Sequence, residues 1–200
     1  MADVNPSMDR LAELQQMIAE FASVQRMINI ADKGRLENDV EHSFGLALTC
    51  WFMHPQIAPH LDLGKILQYA LAHDIIELHA GDTFAFDTEA VKTKEAREAA
   101  SLEQIKADWP DFPGLTDYAQ GYADKRDAEA KFVYTIDKLL PSIMIKLSGK
   151  SEEFWHDHKI TREAHEAEKR SKMRHSPEAA DYLEALNEWL AKPDNFYKPE

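Results

Sequence analysis

His73 and Asp74 stand side by side near the end of the apolar stretch ILQYALAHDIIEL, and Glu77 follows three residues after Asp74. An imidazole and a carboxylate in apolar surroundings are costly unless both find partners. Helical spacing brings His73, Asp74 and Glu77 to one side of the element, so three ionisable groups converge there. Glu41-His42-Ser43 opens a second apolar run, FGLALTCWF, and a side chain at a helix start can point back into a cleft. Asp137 lies in FVYTIDKLLPSIMI, where Phe132, Val133, Ile136, Leu140 and Ile143 make the apolar face. A buried carboxylate needs a cation or hydrogen-bond donors. His42, His73, Asp74 and Asp137 therefore offer two imidazoles and two carboxylates. That set suits one divalent first-row cation (Mn, Co, Fe, Ni or Zn) with open coordination positions. Water at such a position becomes more acidic, and Glu77, outside the ligand set, could orient it or move its proton. The competing account makes these groups core hydrogen-bond partners, with Asp39 capping its helix, His42 on the surface and Asp137 in a salt bridge.

Helical periodicity dominates the elements that must carry these residues, and no run alternates as a strand should. The expected fold class is all-α. A first helix is predicted over about Asp9 to Ile30, capped by Ser7 or Asp9, with a loop through Lys33, Gly34 and Arg35. A second starts near Asp39 and stops before Pro55. The third, about Leu63 to His79, is apolar nearly all round and should be central, ending at Gly81. A charged helix from about Glu89 to Asp108 precedes an irregular stretch, WPDFPGLTDY. A long helix from about Ala123 to Leu147 contains Pro141, which should kink it. Two further helices are expected over about Lys159 to Met173 and Pro177 to Leu190. Residues 1–150 form the predicted core domain, and 151–200 a C-terminal helical extension packed on it.

The formal net charge of -13, without a dense Lys/Arg cluster, argues against a nucleic-acid polymer as partner. A small phosphate compound stays compatible, because a bound cation reverses the local field. The single cysteine, Cys50, allows no intrachain disulfide. No apolar run is long enough to span a bilayer, and the N-terminus lacks a secretory pattern, so a cytoplasmic protein without a membrane partner is expected. His156, His158, His165 and His175 lie in a highly charged stretch and are read as solvated rather than as a second metal site.

The order His42, then His73-Asp74, then Asp137 resembles the HD-domain superfamily of metal-dependent phosphohydrolases. The segments RLENDVEHS (35–43) and AHDIIELHAGD (72–82) are similar to the bacterial 5′-deoxynucleotidases and their eukaryotic HD-domain relatives. The resemblance covers about residues 10 to 150 and implies a compact helical bundle around one metal. It implies His42, His73, Asp74 and Asp137 as ligands and Glu77 as the carboxylate that activates water. It places Asp82 near the substrate sugar, although Asp82 also suits a plain turn or cap. A first-helix Arg reaches the phosphate in those relatives; Arg26 is the nearest counterpart and Arg35 a second candidate. Lys138 could meet a phosphate or pair with Asp137. An aromatic residue follows that Arg in the deoxynucleotidases, whereas Met27 stands here. The implied activity is removal of phosphate from (deoxy)nucleoside 5′-monophosphates. Triphosphohydrolase or cyclic phosphodiesterase action, a non-catalytic metal-binding scaffold and a structural helical interaction protein are the alternatives. Relatives are often dimers, and the apolar surface of the first helix is compatible with a homodimer.

Overall fold

The computed structural model describes residues 7–30, 34–192 and 194–199; Lys33, expected in the first loop, lies outside them. The chain is a helical bundle carrying one two-stranded sheet. Helix α1 (Met8–Phe21) is capped by the Ser7 side chain, which accepts from the Arg10 amide. The predicted first helix is too long. The chain turns at Ala22–Ser23 and enters strand β1 (Gln25–Asn29), which pairs antiparallel with β2 (Leu36–Asn38). The apolar stripe of α1 runs on without a visible break into a strand too short to show its own period. Along β1, Arg26 and Ile28 are buried while Gln25 and Met27 are exposed, the two-residue alternation of a half-buried strand.

Helix α2 (Asp39–Ile57) begins with a capping box: the Asn38 side chain accepts from the Glu41 amide, and the Glu41 side chain accepts from the Asn38 amide. Asn38, not Asp39, is the cap. The helix passes through Pro55, which sits in the last turn, where it costs only the Trp51 carbonyl its donor. The third predicted helix divides. Helix α3 (Leu63–Ala72) gives way after His73 to a tightened turn, in which the amides of Ile75, Glu77 and Leu78 bond three residues back, and the short α4 (Glu77–Ala80) follows.

Helix α5 (Thr88–Asp108) matches the charged helix, and α6 (Pro113–Ala123) replaces the expected irregular stretch. Pro113 opens α6 at a position where its missing donor is not needed. Helix α7 (Ala128–Leu147) is capped by Asp127 and stays continuous through Pro141. The C-terminal segment forms α8 (Ser151–Asp157), α9 (Arg162–Met173), a 3-10 turn (Pro177–Ala179) and α10 (Asp181–Leu190).

Helix α7 is the hub, packing against α2, α3, α6, α8, α9, α10 and β1. Phe132, Val133 and Ile136 on α7 are fully buried with Leu46, Cys50, Ile66 and Tyr69. Trp155, Met173, Leu190 and Phe196 belong to the same cluster, so the segment after residue 150 shares this core. Phe44, Leu48 and Trp51 leave an exposed apolar stripe on α2. Trp155 stacks on Phe196 at 4.9 Å between ring centroids. Trp155→Ala is therefore expected to lower global stability by about 3–5 kcal/mol in urea denaturation, in one transition. A separate early transition for the C-terminal segment would contradict a shared core.

Candidate metal centre

Three elements bring the ligand atoms together. The capping box fixes the first turn of α2, which carries His42; the turn after α3 carries His73; the middle of α7 carries Asp137. All three side chains are almost solvent-free, and their donor atoms lie within 4.8 Å of one another. His42 Nε2 is 2.9 Å from Asp137 Oδ1, and His73 Nε2 is 4.0 Å from the same oxygen. The other oxygen, Asp137 Oδ2, accepts from the Tyr122 hydroxyl at 2.5 Å and pairs with Lys138 Nζ at 2.5 Å. Oδ1 is thus the oxygen turned toward the imidazoles.

His73 shows most clearly what the cluster lacks. Its Nδ1 lies 2.9 Å from the Ala70 carbonyl, which can only accept, so the ring proton sits on Nδ1. The Nε2 lone pair then faces Asp74 Oδ2 at 2.9 Å without a hydrogen bond. Two lone-pair atoms at that distance repel unless a cation or a proton stands with them. A carbonyl holding the far nitrogen of a ligating histidine is also the usual support of a metal site. The donor set of nitrogen and carboxylate oxygen fits one divalent transition-metal cation.

Asp74 bridges to a second group. Its Oδ2 is 3.9 Å from His42 Nε2, and it also pairs with Arg26 Nη1 at 2.8 Å. Asp39, Asp74 and Glu77 form a neighbouring carboxylate cluster. Arg26 Nη1 reaches Asp39 Oδ1 at 3.2 Å, and Arg26 Nε lies 3.5 Å from Glu37 Oε2. Glu77 is buried, and its Oε2 has no hydrogen-bond partner. These charges shape one another. Burial and Arg26 oppose the charged form of His42, yet its contacts with Asp137 and Glu37 carry its pKa up to about 9. Burial, helped by Asp74, pushes the Asp39 carboxyl up to about 7 against the pull of Arg26. Burial also drives Glu77 well above the usual carboxylate range, with Asp74, Asp82 and Asp39 adding to it. Asp74 and Asp137 stay well below that range despite burial, held by Arg26 in one case and by Lys138 and His42 in the other.

A cavity of about 430 Å³ opens beside this centre, lined by Arg26, His73, Asp74, Glu77, Asp82 and Asp137 on one side. Lys138 also lines it. Arg35 does not: it pairs with Glu41 on the exposed surface, because its strand end faces away from the bundle. Met27, 46% exposed and on the opposite face of β1 from Arg26, nevertheless lines the cavity. The four C-terminal histidines disperse, and His165 is not solvated as expected but buried, with Nε2 2.8 Å from Ser142 Oγ. Sequence reasoning missed Glu37, Tyr122, Lys94, Lys169 and Lys172. Only Tyr122, an aromatic with a polar tip, gave any hint by its type.

The family model for the HD domain matches residues 18–180. The chain belongs to the HD-domain family. Among solved structures, a predicted metal-dependent phosphohydrolase from Magnetospirillum magnetotacticum MS-1 is 24% identical, with a TM-score of 0.78 over 94% of this chain and 99% of that one. A protein from Pyrococcus horikoshii OT3 (22% identity, TM-score 0.65) aligns over 88% of this chain and 98% of its own. A conserved hypothetical protein from Pyrococcus furiosus (19%, 0.61) aligns over 88% and 99%. These similarities establish the fold. No protein of curated function matches the sequence significantly. The HD-domain match runs past residue 150 into the C-terminal segment.

Metal binding must displace the proton that His42 holds below about pH 9. Affinity for Mn or Co should therefore rise with pH between 6 and 8, by roughly tenfold per unit for one released proton. Calorimetry in buffers of different ionisation enthalpy reads both the affinity and the proton; a flat profile without proton release would contradict the assignment.

Proposed function

We propose that this HD-domain protein is a metal-dependent phosphohydrolase that removes the phosphate from small phosphate esters, with (deoxy)nucleoside 5′-monophosphates as the substrate class. The observation that carries the reading is the buried His42, His73 and Asp137 cluster opening, beside an unpartnered Glu77 oxygen, onto a cavity of substrate size. The name borne by the Magnetospirillum structure points the same way.

His42, His73, Asp74 and Asp137 would hold the cation. When bound, it supplies Lewis-acid charge for a phosphate oxygen and acidifies water. Glu77, buried beside the cluster with its Oε2 unpartnered, is suited to orient the attacking water and take its proton. As the water oxygen adds to phosphorus, the ester P–O bond breaks and the leaving alkoxide takes up the proton given up by the water, becoming the product hydroxyl. Lys138 and Arg26 set positive charge at the cavity wall, where it can meet phosphate oxygens; each is already paired, with Asp137 and with Asp74. Asp82 lines the same wall and can accept from a sugar hydroxyl. Arg35 has no part in this arrangement. No helix among the described residues is long and apolar enough to cross a membrane. A cytoplasmic location fits a nucleotide substrate, and the exposed stripe on α2 is compatible with a homodimer.

Metal-stripped protein given Mn, Co, Ni or Zn and a panel of mono- and triphosphates should release inorganic phosphate from the monophosphates. Glu77→Gln should slow that release by at least about a hundredfold. Pyrophosphate or triphosphate as product would replace the substrate assignment while keeping the site. No turnover with any metal would contradict the enzymatic reading.

A further inference from the structure

The far wall of the cavity comes from the C-terminal segment. Ser142 meets His165 at 2.8 Å, and Tyr134 packs on His175 at 5.4 Å between ring centroids. Helix α9 thus runs back along α7, and Lys169 comes level with Lys138. Lys169 is 6% exposed and lines the cavity together with Lys172 and, from α5, Lys94.

A lysine buried to this degree needs an anion. Its nearest partner is Glu168 Oε2 at 3.4 Å, too poorly aligned for a hydrogen bond. The other oxygen, Glu168 Oε1, is already paired with Lys172 Nζ at 2.6 Å. One carboxylate therefore answers two ammonium groups. Lys94 adds a third from α5, 3.2 Å from Glu98 and 4.0 Å from Glu77 Oε1, so it stands between this wall and the metal side. Burial pulls the Lys169 ammonium pKa down, and the nearby Lys138 and Lys172 add to this despite Glu168. The opposite wall, by contrast, gathers carboxylates around a metal centre. One cavity thus holds a cation-seeking side and an anion-seeking side.

We propose that Lys169, with Lys172 and Lys94, forms a second anion subsite, so that the preferred substrate carries an anionic group in addition to the phosphate that is removed. The substrate class is a phosphate ester with a second phosphate or a carboxylate. This rests on the phosphohydrolase reading for the first phosphate, but the subsite itself can be measured without turnover.

The test uses matched pairs on the Mn-loaded full-length protein. A nucleoside 3′,5′-bisphosphate is compared with its 5′-monophosphate, and 4-carboxyphenyl phosphate with phenyl phosphate. A charge-assisted contact should favour the doubly anionic member of at least one pair by roughly tenfold in kcat/KM. The pair that shows it identifies the group as phosphate or carboxylate. Lys169→Met should collapse that ratio toward one, and Lys169→Arg should keep most of it. Lys172→Met serves as the second variant should Lys169→Met fail to fold. Calorimetric binding of the same pairs separates the two readings. Preferential, Lys169-dependent binding without hydrolysis would sustain the subsite and remove the hydrolase. Hydrolysis without preference in either pair, or an equal loss for both members in Lys169→Met, would overturn the subsite.

Discussion

His42 Nε2, His73 Nε2 and Asp137 Oδ1 meet in a space that water barely enters, and the rest of the molecule is arranged around that meeting. Each atom alone would be a heavy burden on folding, because a buried polar group without a partner forfeits its hydration. Together they would be satisfied by one shared cation. The supports follow from this need. The Ala70 carbonyl sets the His73 tautomer, Tyr122 and Lys138 occupy the outer oxygen of Asp137, and the capping box fixes the turn from which His42 projects. Helix α7 is central because it must present Asp137 to two other elements while packing its remaining faces in the core.

Arg26 connects this centre to the small sheet. A helical arginine at that position would have 3.6-residue spacing from its neighbours; a strand turns Arg26 inward and Met27 outward. The inward guanidinium then answers Asp39 and Asp74 at once. It keeps Asp74 ionised beside His73 and limits repulsion within the carboxylate cluster. Glu77 makes no such pair with Arg26, and its carboxyl, like that of Asp39, is pushed upward by burial and by neighbouring carboxylates. Carboxylates of one cluster thus differ through their neighbours alone.

The helical class and the cluster could be read from sequence because His42, His73, Asp74 and Asp137 interrupt apolar helical runs, where ionisable groups are expensive. The sheet could not. Its strands are five and three residues long, and Val24, Ile28 and Ile30 extend the stripe of α1 without changing its apparent period. The break at His73 was hidden by the unbroken apolar composition of its surroundings, and α6 by its Pro and Gly. The motif neighbourhood of Arg35 says nothing about its partner, which in the fold is Glu41 at the surface. The lysines of the far wall were illegible for another reason. Lys94, Lys169 and Lys172 lie in charged helices whose local sequence looks solvated; the packing of α5 on α4 and the return of α9 along α7 bring them to the cavity.

The central claim is that one cation is held by His42, His73 and Asp137, with Asp74 at its edge. Anomalous diffraction from a crystal grown with Mn tests it most directly. The account predicts a single strong peak in contact with His42 Nε2, His73 Nε2 and an Asp137 oxygen. A peak seated instead among Asp39, Asp74 and Glu77, or no peak beside His73 Nε2, would contradict it.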